Sequence, residues 1–128
     1  MSMLTFPPGR THDLACLGRL AVDFYAQQLG SRLENARSMA MYLGGSSANL
    51  AFGVARLGGR SAMISRVGDE QMGNFLLETL RAEGCDTSQI QIDPHRLTAL
   101  VLLGLKDRDT FPLLFVRENC ADMAIDAT

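Results

Sequence analysis

Residues 43–73 read LGGSSANLAFGVARLGGRSAMISRVGDEQMG, and the fold is decided there. Gly44-Gly45-Ser46-Ser47 is the strongest punctuation in the chain. After it, Leu50, Val54 and Leu57 fall at i, i+4 and i+7, with Ala51 and Ala55 beside them, which is a helical stripe. Ser46 or Ser47 is placed to cap this helix, and Gly58-Gly59 to end it. Ser61 to Val67 (SAMISRV) reads as a strand. Gly68-Asp69 then opens a second helix with Asp69 as its cap. Met72, Phe75, Leu76 and Leu80 share one face, and Gly84 stops it.

Outward from this core the pattern changes. Toward the N-terminus, residues 1–12 read as a flexible leader broken by Pro7-Pro8-Gly9. Asp13 to Leu17 (DLACL) suits a short buried strand ending at Gly18. In Ala21 to Leu29, Val22, Phe24 and Ala26 alternate with Asp23, Tyr25 and Gln27, the period of a strand with one polar face. Gly30 to Arg37 is polar and loop-like, and Ser38 to Leu43 is another short strand. Toward the C-terminus, Gln89 to Ile92 is a strand. Thr98 to Leu105 and Phe111 to Arg117 form a hairpin across Lys106 to Thr110 (KDRDT), and the tail from Glu118 shows no period. Alternation of strands and helices from Ser38 to Ile92 argues for an α/β sheet with right-handed crossovers. The helix-free pairs 21–29 with 38–43 and 98–105 with 111–117 predict a small antiparallel sheet beside it.

Composition limits the function. The chain has 128 residues, 47% hydrophobic and 20% charged, the balance of a globular domain able to bury a core. A net charge of -2 gives no basic field for nucleic acid and no polybasic membrane contact. Of 12 cationic side chains only Lys106 is a lysine, which carries no functional reading. Cys16, Cys85 and Cys120, widely spaced and without a CxxC pair, read as buried thiols in a reducing compartment. Pro7, Pro8 and Arg10 stand where a signal peptide needs an apolar run, so the chain reads as soluble and cytoplasmic.

Several residues are candidates for chemistry, each with a plain structural alternative. Gly44 to Asn49 (GGSSAN) opens a helix after an extended run. Its glycines permit close backbone approach, its free N–H groups attract anions and hydroxyls, and Asn49 can both donate and accept. The plain alternative is a turn and cap. Neither GxxxxGK[ST] nor GxGxxG occurs. Asp23, on the polar face of its strand, is suited to accept from vicinal sugar hydroxyls, or simply to face solvent. Gly68-Asp69-Glu70 reads as a cap with a favourable dipole interaction. Arg117-Glu118-Asn119 ends an apolar strand, and Arg117 can take a carboxylate bidentately. His12 and His95 have no metal-ligand pattern.

These motifs together resemble the N-terminal signature of the PfkB (ribokinase-like) family of carbohydrate kinases. That signature joins a Gly-Gly turn, an Asn shortly after it, an LG pair, and VGxDxxG-like residues. The last element reads Val67-Gly68-Asp69-Glu70-Gln71-Met72-Gly73 here, with Asp directly after Gly68. The resemblance extends over Asp13 to Asp126. Within the family, GRLAVDFYAQQLGSRLENARSMAMYLGGSSAN, RLTALVLLGLKDRDTFPLLF and VRENCADMAI look most like the 5-dehydro-2-deoxygluconokinases of inositol catabolism.

The resemblance implies an α/β fold, the N-terminal part (13–128) of a ribokinase-like three-layer sandwich, with lid strands near 21–43 and 98–117. It implies that Asp23, Gly44, Gly45 and Asn49 contact sugar hydroxyls. It also implies that lid residues near Thr98 and Leu100 close over the sugar and that Arg117 holds a substrate carboxylate. The partner expected is a small keto-sugar acid, with neither nucleic acid nor membrane, and a homo-oligomer is expected through lid strands or an exposed sheet edge. Family members draw their catalytic base from a later GxGD-type stretch, which is absent here. No catalytic residue is therefore expected in these 128 residues, the base lying beyond Thr128. ATP and Mg2+ are expected for the full-length enzyme and neither for this chain alone, which is expected to be inactive. The alternatives are another PfkB kinase of ribokinase or fructokinase type, and a non-catalytic sugar-binding or dimerisation fragment.

Overall fold

The computed structural model describes residues 7–127, so the first six residues of the expected leader lie outside the described residues. From Arg10 onward the chain is tied down. The Arg10 carbonyl accepts from Arg60, Asp13 is gripped by the Arg60 guanidinium at 2.9 Å, and His12 meets Asp86 at 2.9 Å.

Two sheets share one set of helices. Strands β1 (Leu14–Leu17), β4 (Ser61–Gly68) and β5 (Ile90–Asp93) form a parallel sheet in the order β1-β4-β5. Strands β2 (Ala21–Ala26), β3 (Met39–Gly44), β6 (Ala99–Leu103) and β7 (Leu113–Val116) form a second sheet in the order β3-β2-β6-β7. The two helix-free pairs are the expected antiparallel hairpins, β2 with β3 and β6 with β7. The sheet as a whole is not antiparallel, however, because β2 and β6 pair parallel, Ala21 opposite Ala99 through Tyr25 opposite Leu103. Both strands leave the carboxyl ends of parallel strands, β1 and β5, and therefore run the same way.

Helices α1 (Ser46–Arg56) and α2 (Gln71–Ala82) each touch both sheets, α1 through β1, β4 and β3 and α2 through β4 and β2. The core joins Cys16, Met63, Val67, Leu76, Leu80 and Ile90 to Val22, with Phe24, Met41, Leu43 and Leu100 of the second sheet packed against it. Burying each large aliphatic side chain of this set stabilises the fold by roughly 1.5–3 kcal/mol.

Three sequence expectations need correction. The α1 stripe of Leu50, Val54 and Leu57 is not the buried one, since Leu50 is 61% and Leu57 89% exposed while Ala48 and Ala51 are fully buried. The Ser61 hydroxyl donates to the Ala51 carbonyl at 2.6 Å, so the helix lies too close to β4 for larger side chains. Neither Ser46 nor Ser47 caps α1. Gly45 is the N-cap, and the Ser47 hydroxyl donates instead to the Leu17 carbonyl at 3.0 Å. Asp69 does not cap α2 either. Glu70 does, accepting from Met72 N at 2.7 Å. Its other oxygen accepts from Thr98 N at 3.0 Å and from the Thr98 hydroxyl, so the cap also clamps the start of β6. Gly84 ends α2 as expected, with Cys85 N donating to the Leu80 carbonyl at 3.0 Å.

The tail is ordered by charge. Ala121–Ala124 form a 3-10 turn. Asp93, 1% exposed at the end of β5, accepts from the backbone of His95 and Arg96, and Arg66 Nε lies 3.0 Å from it. That N–H is not aimed at the carboxylate, so the contact is an ion pair without a directed hydrogen bond.

Candidate functional site

The chain passes from the parallel sheet into the second sheet at Gly18 to Leu20, and returns into α1 through Gly44-Gly45. This places the α1 N-terminus beside the carboxyl end of β1, where ligands of open α/β sheets bind. A cavity of about 370 Å³ lies there, its polar lining being Arg19, Asp23, Ser46 and Arg117 with the Gly45 backbone. Val101, Leu103, Leu113 and Phe115 supply its apolar wall.

Asp23 belongs to the face of β2 opposite the core-facing Val22 and Phe24. It is half-buried, burial pushes its carboxyl up from the usual range, and no protein group pairs with it among the described residues. Gly44 makes room for it, since a Cβ there would land on the Asp23 carboxylate. Gly45 takes φ 98, and a Cβ on it would strike the Arg19 carbonyl. A side chain at either position would close the approach between the carboxylate and the first turn of α1.

Arg117, exposed at the end of β7, lies with its guanidinium carbon 3.9 Å from the Phe115 ring centroid and has no carboxylate partner among the described residues. The structure thus brings Asp23, Gly45 and Arg117 to one cavity, with Gly44 directly behind Asp23. Asn49 is exposed one turn further along α1, in a separate depression with Met41, Leu43 and Phe52.

Thr98 and Leu100 also lie elsewhere. They line a cavity of about 440 Å³ with Glu70 and Met72, whereas Val101 and Leu103 line the Asp23 cavity. Alternate residues of β6 face opposite ways, so Thr98 and Leu100 are not on the face that lines the Asp23 cavity.

Sequence reasoning missed Arg19. Its Nε and Nη2 donate to the Asp122 carboxylate at 2.6 and 3.0 Å, and Asp122 is 2% exposed. The signal was a charged residue directly after Gly18 at the end of a parallel strand, but its partner stands far away in the chain. The Cys120 thiol, 2.9 Å from Asp122, is pushed up to about 11 by burial and by that carboxylate, and stays neutral. Chemically, the cavity offers one acceptor for hydroxyl groups, helix-start N–H donors, and two guanidinium groups suited to an anion.

The model of the family described as pfkB family carbohydrate kinase matches residues 11–126. The chain is 38% identical over 129 residues to 5-dehydro-2-deoxygluconokinase 1 of Bacillus cereus (strain ZK / E33L), covering 100% of the chain and 39% of that protein. It therefore spans well under half the length of the curated relatives it matches. Its fold superposes on the fructokinase of Halothermothrix orenii with a TM-score of 0.80 at 36% identity, over 89% of this chain and 40% of that one. A putative ribokinase II from E. coli gives the same TM-score, 0.80, at 23% identity over 88% of this chain and 36% of that one, a likeness of fold alone. The architecture is ribokinase-like, the second sheet is its lid, and the chain belongs to the pfkB family of carbohydrate kinases.

Proposed function

We propose that this chain is the sugar-binding portion of an ATP-dependent kinase whose substrate is a keto-sugar acid, 5-dehydro-2-deoxygluconate, and that the enzyme serves myo-inositol catabolism in the cytoplasm. One observation carries the reading. Asp23, Gly45-Ser46 and Arg117, from three separate segments, converge on a single cavity beneath the lid. The relatives named 5-dehydro-2-deoxygluconokinase support the substrate.

The residues divide the work of binding. Asp23, unpaired and facing the cavity, accepts from sugar hydroxyls, each charge-assisted bond contributing about 1.5–3 kcal/mol. The start of α1 offers its N–H groups to a further oxygen. Arg117 takes the carboxylate, its guanidinium resting on Phe115. The apolar wall of β6 and β7 excludes water from the ring face.

Among the described residues no three His, Cys, Asp or Glu side chains converge to hold a metal ion. When bound, Mg·ATP supplies the phosphoryl group.

The test is an assay of the protein carrying this chain with ATP and 5-dehydro-2-deoxygluconate, ribose and fructose. Preferred turnover of the acid is expected. No turnover of the acid, with good turnover of ribose or fructose, overturns the substrate.

A second reading, assembly of two copies through the lid, has its own observation. All four residues of β7, Leu113 to Val116, are exposed on an unpaired sheet edge. Light scattering decides it, and a strict monomer removes it.

A further inference from the structure

Arg19 lines the same cavity as Asp23 and Arg117, and the sugar-hydroxyl reading gives it no task. One edge of its guanidinium is fully committed. Nε and Nη2 fork onto Asp122, and Nη2 also lies 3.4 Å from Met123 Sδ and 3.7 Å from Cys120 Sγ. Nη1 has no protein partner among the described residues. The stem runs past Gly45, where an added Cβ would stand 3.4 Å from Arg19 Cγ. Asp122 is 2% exposed and Arg19 25% exposed, so the pair is held out of bulk water while part of the guanidinium remains accessible.

A rigid guanidinium with unused donors meets an anionic oxygen without losing rotamer freedom on binding. A neutral polyol gains less from it, because the bond is charge-assisted only on one side. Asp122 balances the charge of Arg19 from behind, so what Arg19 adds to the cavity lining beside Asp23 and Arg117 is an oriented guanidinium edge with N–H donors to spare.

We infer that Arg19 is a second specificity-determining residue, which reads the carboxylate of a sugar acid together with Arg117, and that Asp122 is the positioning residue that holds it. The inference rests on the sugar-acid reading of this cavity. The natural neutral control is fructose, a ketohexose of the same chain length bearing a hydroxymethyl group where the acid bears its carboxylate.

The experiment is calorimetric titration of the protein carrying this chain with 5-dehydro-2-deoxygluconate and with fructose, for wild type, Arg19→Lys, and the double variant Arg19→Gln/Asp122→Asn. The double variant keeps a neutral hydrogen bond and leaves no buried charge orphaned, and its melting temperature reports folding. Arg19→Lys keeps the charge and the ion pair but not the fork, so it decides the matter should the double variant not fold. Loss of one charge-assisted contact predicts that the acid-over-fructose affinity ratio falls about tenfold in both variants. A high wild-type ratio that survives both substitutions overturns the inference alone and leaves Arg19 a brace. A wild-type ratio near one overturns the sugar-acid reading and this inference with it.

Discussion

Replacing Gly44 by alanine tests how the candidate site is built. Gly44 is buried at the end of β3, two residues beyond Tyr42, which is the cross-strand partner of Asp23. Its backbone has no positive φ, so alanine meets no backbone strain there. The whole penalty comes from the Asp23 carboxyl group, whose three atoms are the nearest neighbours of an added Cβ. Overpacking of this kind costs about 1–3 kcal/mol. Asp23 has no protein hydrogen bond to lose, so it relieves the clash by leaving its rotamer, which places the cost at the lower end, about 1–2 kcal/mol. In a chain of 128 residues each kcal/mol lowers the melting temperature by about 4 °C. The assay is a double-mutant cycle by thermal or urea denaturation with Gly44→Ala, Asp23→Ala and both. Removing the carboxylate should remove the penalty, giving a coupling of about 1 kcal/mol or more. Additivity within about 0.5 kcal/mol would refute the reasoning, because independent sites add to that precision.

The same cavity predicts a pH dependence. Burial raises the Asp23 pKa above its ordinary 3.8, so the folded state holds that proton more tightly than the unfolded state. The associated stability is present below pH 3.8 and is lost as pH rises through the folded value. Asp23→Asn should therefore gain stability relative to wild type between pH 4 and 7, read as diverging melting temperatures; parallel curves count against the desolvated carboxylate. Glu70→Ala should cost about 2–3 kcal/mol in urea denaturation, a lost cap plus orphaned Thr98 groups, and a cost under about 0.5 kcal/mol would show that the clamp on β6 is not stabilising. Leu80→Ala should cost about 2–5 kcal/mol and Leu57→Ser less than about 0.5, and comparable losses would mean that α1 buries its other face.

Much of the fold was legible because it is local. Val22, Phe24 and Ala26 against Asp23, Tyr25 and Gln27 announced β2 and its polar face, and Met72, Phe75, Leu76 and Leu80 announced α2. The placement of Asp23 on the polar face of β2, and of the two glycines at the turn into α1, was legible because backbone period and turn signals are local. The α1 face was misread because Leu50 and Leu57 are the larger apolar residues, while burial there is set by how closely β4 approaches Ala51. Glu70 was missed as the cap for a similar reason. Its advantage over Asp69 is the clamp on Thr98, whose position is set by β5 and the turn after it.

Local composition and period carry the elements, their α/β order, the two helix-free hairpins and the family signature, since each is encoded by neighbours within a turn or a strand. The tertiary structure alone decided the parallel pairing of β2 with β6, the face of β6 that looks into the cavity, and the pairing of Arg19 with Asp122. Parity and partner choice across a sheet depend on register between segments distant in the chain. A shift of one residue exchanges every inward side chain for an outward one, and local composition barely registers the difference.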